Sequence, residues 1–186
     1  MNIICNGIQK HGTHALLKAV ELLGQPIEFE GMGGARLDHI PFGLIPTDTK
    51  HLFIIRNPKN AFISLMRMHN FPLTTGMLMA KLQSYDSENY VDHCEPYLDW
   101  LDDADTLVVN FDDMVSDQGQ TVMDSIADHL GVARQADARD NLFGHTETWT
   151  GALSNNETLD AWNDEVEAVW LSIGGLALEQ RLGYAV

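Results

Sequence analysis

The first seventeen residues, MNIICNGIQKHGTHALL, constrain the fold of this chain more than any other stretch. Asn2 to Cys5 is a short apolar, β-branched run, which predicts a buried strand. Gly7 and Gly12 bound a loop that holds Lys10. From Thr13 onward, Ala15, Leu16, Leu17, Val20, Leu22 and Leu23 recur at helical spacing. A strand that enters a helix through such a loop turns backbone N–H groups and the positive helix end toward one point, and a lysine there adds a full charge. The stretch therefore predicts a phosphate cradle. It departs from the ATPase loop, in which lysine directly follows the second glycine, because here Thr13 takes that place and Lys10 lies two residues before Gly12.

The downstream pattern alternates strands with helices. Strands are expected at Gln25–Glu30, at His51–Ile55 (HLFII) and at Thr106–Phe111 (TLVVNF). Helices are expected at Pro58 to about His69, at residues 74–84 and at Ser87 to about Asp103, the last kinked or split by Pro96. Two more are expected at Gln118–Leu130, capped by Gly131, and at Glu157–Ile173, closed by Gly174 and Gly175. Leu37–Pro46 is too broken by proline for a regular strand, and residues 133–156 read as polar and irregular. The alternation specifies an α/β fold with a mainly parallel central sheet in three layers. At 186 residues, with no internal repeat and no composition boundary, residues 1–186 are expected to form one domain.

Charge narrows the partners. Residues 1–81 hold eight Lys/Arg against five Asp/Glu, a net +3, whereas residues 82–186 hold three against twenty-two, a net −19. So acidic a chain repels nucleic acid and anionic membranes, and neither is expected as a partner. No apolar run approaches the roughly 20 residues that span a bilayer, so no membrane insertion is expected. The N-terminus lacks the basic segment of a signal peptide, which makes a cytoplasmic location the expectation. Cys5 and Cys94 read as buried thiols, although sequence leaves a disulfide open.

The basic half also carries the second informative stretch, Arg56 to Arg67 (RNPKNAFISLMR), which emerges from the strand HLFII. Ligands of open parallel sheets bind beyond the C-terminal strand ends, so Arg56 and the Lys10 loop are expected on one rim. A guanidinium fork with the Ser64 hydroxyl, eight residues on, suits a terminal phosphate. Between the two stretches lies DHIPFGLIP, Asp38 to Pro46, with His39. His11 and His14, three apart, could share a metal, but no further ligand is close in sequence and no metal is expected.

Taken together, K-x-G-T after a strand and R-N-P-K-N-x-x-x-S after a second strand resemble the two phosphate motifs of sulfotransferases that use 3′-phosphoadenosine 5′-phosphosulfate (PAPS). The segment around His39 is similar to K-T-H-L-P-x-x-L-L-P of the cytosolic members, whose histidine is the catalytic base. Asn110–Met114 (NFDDM) resembles their Y-E-D-L segment, and Gly144–Gly151 (GHTETWTG) their nucleotide-closing loop R-K-G-x-x-G-x-W.

The resemblance implies a P-loop NTPase-like sulfotransferase fold in a compact member, with sulfuryl transfer from PAPS to a hydroxyl or amine on a small-molecule, glycan or lipid acceptor. His39 would be the general base, and Lys10 would stabilise the leaving phosphate. Lys10, His11, Gly12, Thr13 and His14 would hold the 5′-phosphate, Arg56 and Ser64 the 3′-phosphate, and Gly144 and Trp149 would close over the nucleotide. Some positions depart from the family pattern. Leu142 and Phe143 stand where the loop's Arg-Lys pair is usual, Ala15 where a tryptophan is usual, and Leu37 where a lysine precedes the histidine. Two alternatives stay open: a P-loop-type small-molecule kinase using ATP, and a 3′-phosphoadenosine nucleotide-binding protein without catalysis. Neither acceptor identity nor oligomeric state is legible.

Overall fold

The computed structural model describes residues 2–28, 34–44, 48–145, 147–148, 151–152 and 161–185. Strand β1 (Asn2–Gly7) lies between β2 (Ala35–Leu37) and β3 (Thr49–Ile55), and β4 (Thr106–Asn110) completes a fully parallel sheet in the order β2-β1-β3-β4. Central strands β1 and β3 pair from Asn2↔Thr49 to Gly7↔Ile54, which sets their C-terminal ends side by side.

Alternate residues of β3 face opposite layers, and both are apolar, as a parallel sheet covered on both sides requires. Leu52 and Ile54 join Ile3 and Cys5 of β1 against α1 (Thr13–Leu22) and α6 (Gly119–Leu130). Phe53 and Ile55 enter the other layer with Phe62, Tyr90 and Trp170, contributed by α2 (Pro58–Met68), α4 (Tyr90–Cys94) and α8 (Asp164–Ser172). The expected α/β class and parallel sheet are present, and so is the split at Pro96. There α4 passes into a 3-10 turn, Glu95–Leu101. Helix α3 (Thr75–Gln83) matches its expected span.

Several expectations are corrected. Of the strand expected at Gln25–Glu30, the described residues 25–28 hold only a bridge at Ile27, and the second strand is β2, which ends on the first residue of the segment expected to be irregular. Gly34, at φ 145°, lets Ala35 exchange hydrogen bonds with Pro26 and Glu28 and then pair with Ile3, so Ile27 keeps only a single bridge. Any side chain at residue 34 would stand 2.6 Å from the Pro26 carbonyl oxygen. A short helix, α5 (Phe111–Val115), follows β4 directly, capped by the Asn110 side chain. The segment 133–156 holds α7 (Ala138–His145), which buries Ala138 and Leu142 among its described side chains. Strands β5 (Glu147–Thr148) and β6 (Gly151–Ala152) then form a small antiparallel pair.

Of the helix expected at Glu157–Ile173, residues 157–160 lie outside the described residues, and α8 starts at Asp164, where the Asn163 side chain accepts from Glu165 and Val166 N–H and sets the boundary. Beyond Gly174 the chain forms α9 (Gly175–Arg181), where only a short segment was expected.

Candidate active site

The ends of β1 and β3 carry the site. After Gly7 the chain turns tightly, with His11 N–H donating to the Ile8 carbonyl at 3.1 Å. Lys10 takes a left-handed backbone, φ 66°, unusual for a residue with a side chain and costing on the order of 1 kcal/mol. Gly12, at φ 111°, is the residue before α1, and a Cβ there would lie 2.6 Å from the Phe111 ring. Only glycine fits that position. Four other helices are closed by asparagine side chains, from Asn57, Asn89, Asn110 and Asn163, but α1 has neither a side-chain cap nor an acidic residue in its first turn. Its N-terminal N–H groups are thus left for an external acceptor.

Arg56, the residue after β3, is buried, with Nη1 3.5 Å from the Lys10 carbonyl and its guanidinium 4.6 Å from the Phe111 ring centroid. Its backbone N–H donates to Nδ1 of fully buried His11 at 3.1 Å, so the His11 ring proton must sit on Nε2. Burial first, and then the charge of Arg56, pulls the His11 pKa down to about 3 and keeps the ring neutral. Lys10 is half-buried and has no carboxylate partner among the described residues. Burial and the nearby Arg56 charge lower its pKa. The pKa of His14, in the first turn of α1, is lowered by partial desolvation of its ring and by the charges of Lys10 and His39. Positive charge therefore gathers at one helix end, which suits a polyanion.

His39 reaches the same rim from the segment after β2. Its Nδ1 is 2.6 Å from the Gly7 carbonyl oxygen, which can only accept, so Nδ1 holds the proton and Nε2 carries the lone pair. Its backbone N–H donates to Asp38 at 2.9 Å. Gly7 is needed for this approach of β1 to β3, since a Cβ would stand 2.9 Å from the Ile54 carbonyl.

The structure thus brings Lys10, His11, Gly12, His14, His39 and Arg56 together, with Thr13 buried at the start of α1. Ser64 lies buried in the second turn of α2. Gly144 is in α7 rather than in a loop, and Trp149 lies outside the described residues. Motif reasoning missed Asn6, which grips the His39 segment, and Asp112, whose Oδ2 accepts the Asn57 N–H at 3.2 Å beneath Arg56. It also missed Tyr184, whose hydroxyl donates to Asn110 at 2.9 Å. The partners of these residues are 34 to 74 positions away, and no local pattern announces them.

Against known proteins, residues 34–158 match a family model described as the sulfotransferase domain. That range contains His39, Arg56 and Ser64 and begins after the Lys10 loop. The fold is similar to the crystal structure of mouse sulfotransferase SULT7A1 complexed with PAP, with a TM-score of 0.60 and 19% identity. The alignment covers 76% of this chain and 61% of that one, so the chain spans about three fifths of the mouse protein's length. No curated protein matches.

Proposed function

Because the chain belongs to the sulfotransferase family, we propose that it transfers a sulfuryl group from PAPS to a hydroxyl or amine of a small-molecule, glycan or lipid acceptor, releasing 3′-phosphoadenosine 5′-phosphate (PAP). The observation that carries this reading is Lys10, without a carboxylate partner among the described residues, beside buried Arg56 at a helix N-terminus with no side-chain cap, with Nε2 of His39 on the same rim. The Lys10 ammonium and the uncapped helix end suit an anion, and Nε2 of His39 beside them suits a proton acceptor.

The residues fit PAPS at its phosphate end. The N–H groups of residues 12–14 and the Thr13 hydroxyl would hold the 5′-phosphate, with Lys10 and His14 adding charge. Arg56, from the next strand, and Ser64 would take the 3′-phosphate and so distinguish this nucleotide from ATP. Bound PAPS supplies the sulfuryl group and an anionic leaving phosphate. Everything else is asked of the chain. Nε2 of His39 accepts the proton of the attacking hydroxyl, while Nδ1–H stays on the Gly7 carbonyl. Lys10 would stabilise the charge that grows on the leaving oxygen, and burial strengthens its attraction for that charge. Its strained backbone and the rigid ends of β1 and β3 hold these groups in place before substrate arrives.

Calorimetric titration with PAP, ADP and ATP tests the donor site. PAP is expected to bind more tightly than either, and Arg56→Ala to weaken PAP by about 2–3 kcal/mol with a smaller effect on ADP. Equal or tighter binding of ATP would overturn the assignment.

A further inference from the structure

Asn6 is fully buried near the end of β1, just before the Lys10 loop, in a strand of mostly apolar residues. Its side chain uses three hydrogen bonds. Oδ1 accepts from the N–H of Gly7 at 2.9 Å and from the N–H of Ile40 at 2.8 Å, and Nδ2 donates to the Ile40 carbonyl at 2.9 Å. A primary amide has the donor and acceptor of a peptide group, so Asn6 grips both backbone groups of Ile40 as a neighbouring strand would. Regular pairing of β1 with β2 stops at Cys5↔Leu37, followed by one bond from Asp38 N–H to the Cys5 carbonyl. Asn6 carries the attachment on past that point. Trp100 Nε1 donates to the same Ile40 carbonyl at 2.9 Å from the far side.

His39 is the residue between these anchors. Its ring bonds to Gly7 and its chain neighbour Ile40 bonds to Asn6, so one dipeptide holds both the ring and the backbone of the base. We propose that Asn6 is a positioning residue for His39, fixing the distance from the ring to the Gly7 carbonyl so that Nδ1 keeps the proton and Nε2 remains the base. The catalytic part of this proposal rests on the sulfotransferase reading, but the choice of ring nitrogen does not.

The test joins two measurements on the full chain. Nitrogen-15 NMR of the imidazole rings is expected to show His39 protonated at Nδ1 in the wild type and a mixture of both tautomers in Asn6→Ala. Steady-state kinetics with PAPS should show kcat lowered by about 10²-fold in Asn6→Ala, with KM for PAPS and PAP affinity nearly unchanged. A merely structural asparagine would lower stability without moving the ring signals or kcat of the folded protein.

If Asn6→Ala does not fold, isosteric Asn6→Asp serves in its place. Its ionised carboxylate keeps the two acceptor bonds and loses the donor to Ile40, so ring signals and kcat should shift in the same directions. Unchanged His39 signals together with unchanged kcat in the folded variant overturn the proposal. Absence of PAP binding with the wild-type ring signals as expected would instead remove the sulfotransferase reading and leave the tautomer assignment standing.

Discussion

The two ring nitrogens of His39 meet different surroundings. Nδ1 lies 2.6 Å from a carbonyl that cannot donate, so in the neutral ring the proton is on Nδ1 and Nε2 is the acceptor. His11 shows the opposite arrangement, with Nδ1 accepting from the Arg56 N–H and its proton on Nε2. The two histidines are therefore not interchangeable as bases. His39→Asn should lower kcat by about 10²–10⁴ while PAP still binds, as read by kinetics and calorimetry on one preparation. Loss of PAP binding in that variant would place His39 in the nucleotide site instead. Lys10, Arg56 and His39 were legible because each sits in a motif whose chemistry needs that residue type at that spacing. Asn6 was not, since an asparagine at a strand end reads as a turn residue until the bond to Ile40 is seen.

Among the elements, α2 carries the Arg56 motif into the core and is tied to the C-terminal helices by Lys59. Its Nζ lies 2.9 Å from Glu167 of α8 and 3.1 Å from Glu179 of α9. Trp162 Nε1 donates to Glu167 at 2.7 Å, and the Lys59 ammonium is 5.7 Å from the Trp162 ring centroid. Lys59→Met leaves two carboxylates facing each other in a half-buried place, a loss of about 1–3 kcal/mol. Thermal unfolding should show a Tm lower by about 3–9 °C, and adding Glu179→Gln should restore part of it. A Tm unchanged by Lys59→Met would show that packing alone joins these helices.

Short apolar, β-branched runs announced β1, β3 and β4, and apolar periodicity announced α1, α2, α3 and α6. What escaped was structure held by few anchors. β2 depends on the left-handed Gly34, α7 on Ala138 and Leu142, and the start of α8 on a single capping side chain. Such elements exist because of distant partners, so short windows of sequence do not contain the reason for them.

For the whole molecule, acid stability follows from its buried neutral histidines. His51 is buried, its Nδ1–H donating to the Thr106 hydroxyl at 2.6 Å and that hydroxyl to Asp103 at 2.5 Å. Burial pulls its pKa down from the usual 6.5 to about 4, against a smaller opposite pull from Asp103. The unfolded chain therefore binds a proton on this residue between about pH 6.5 and 4 that the folded chain does not. Stability is full above pH 6.5 and is lost as pH falls through that window, by about 3 kcal/mol at the lower end. Denaturant unfolding of His51→Gln across pH 4–7 should give a shallower acid slope than the wild type, whatever the change in absolute stability. An identical slope would mean that the unfolding of other groups dominates.

The pairing of β1 with β3 also has a kinetic consequence. Asn2 meets Thr49 and Gly7 meets Ile54, so some forty residues must be closed into a loop before these two strands can pair. Parallel strands give no local hairpin on which to begin, and that closure costs chain entropy ahead of the contacts between them. The Lys10 loop and Arg56 meet only after this step. A nucleotide bound between them under the proposed function should therefore slow unfolding more than it speeds folding, as stopped-flow rates with and without PAP would read.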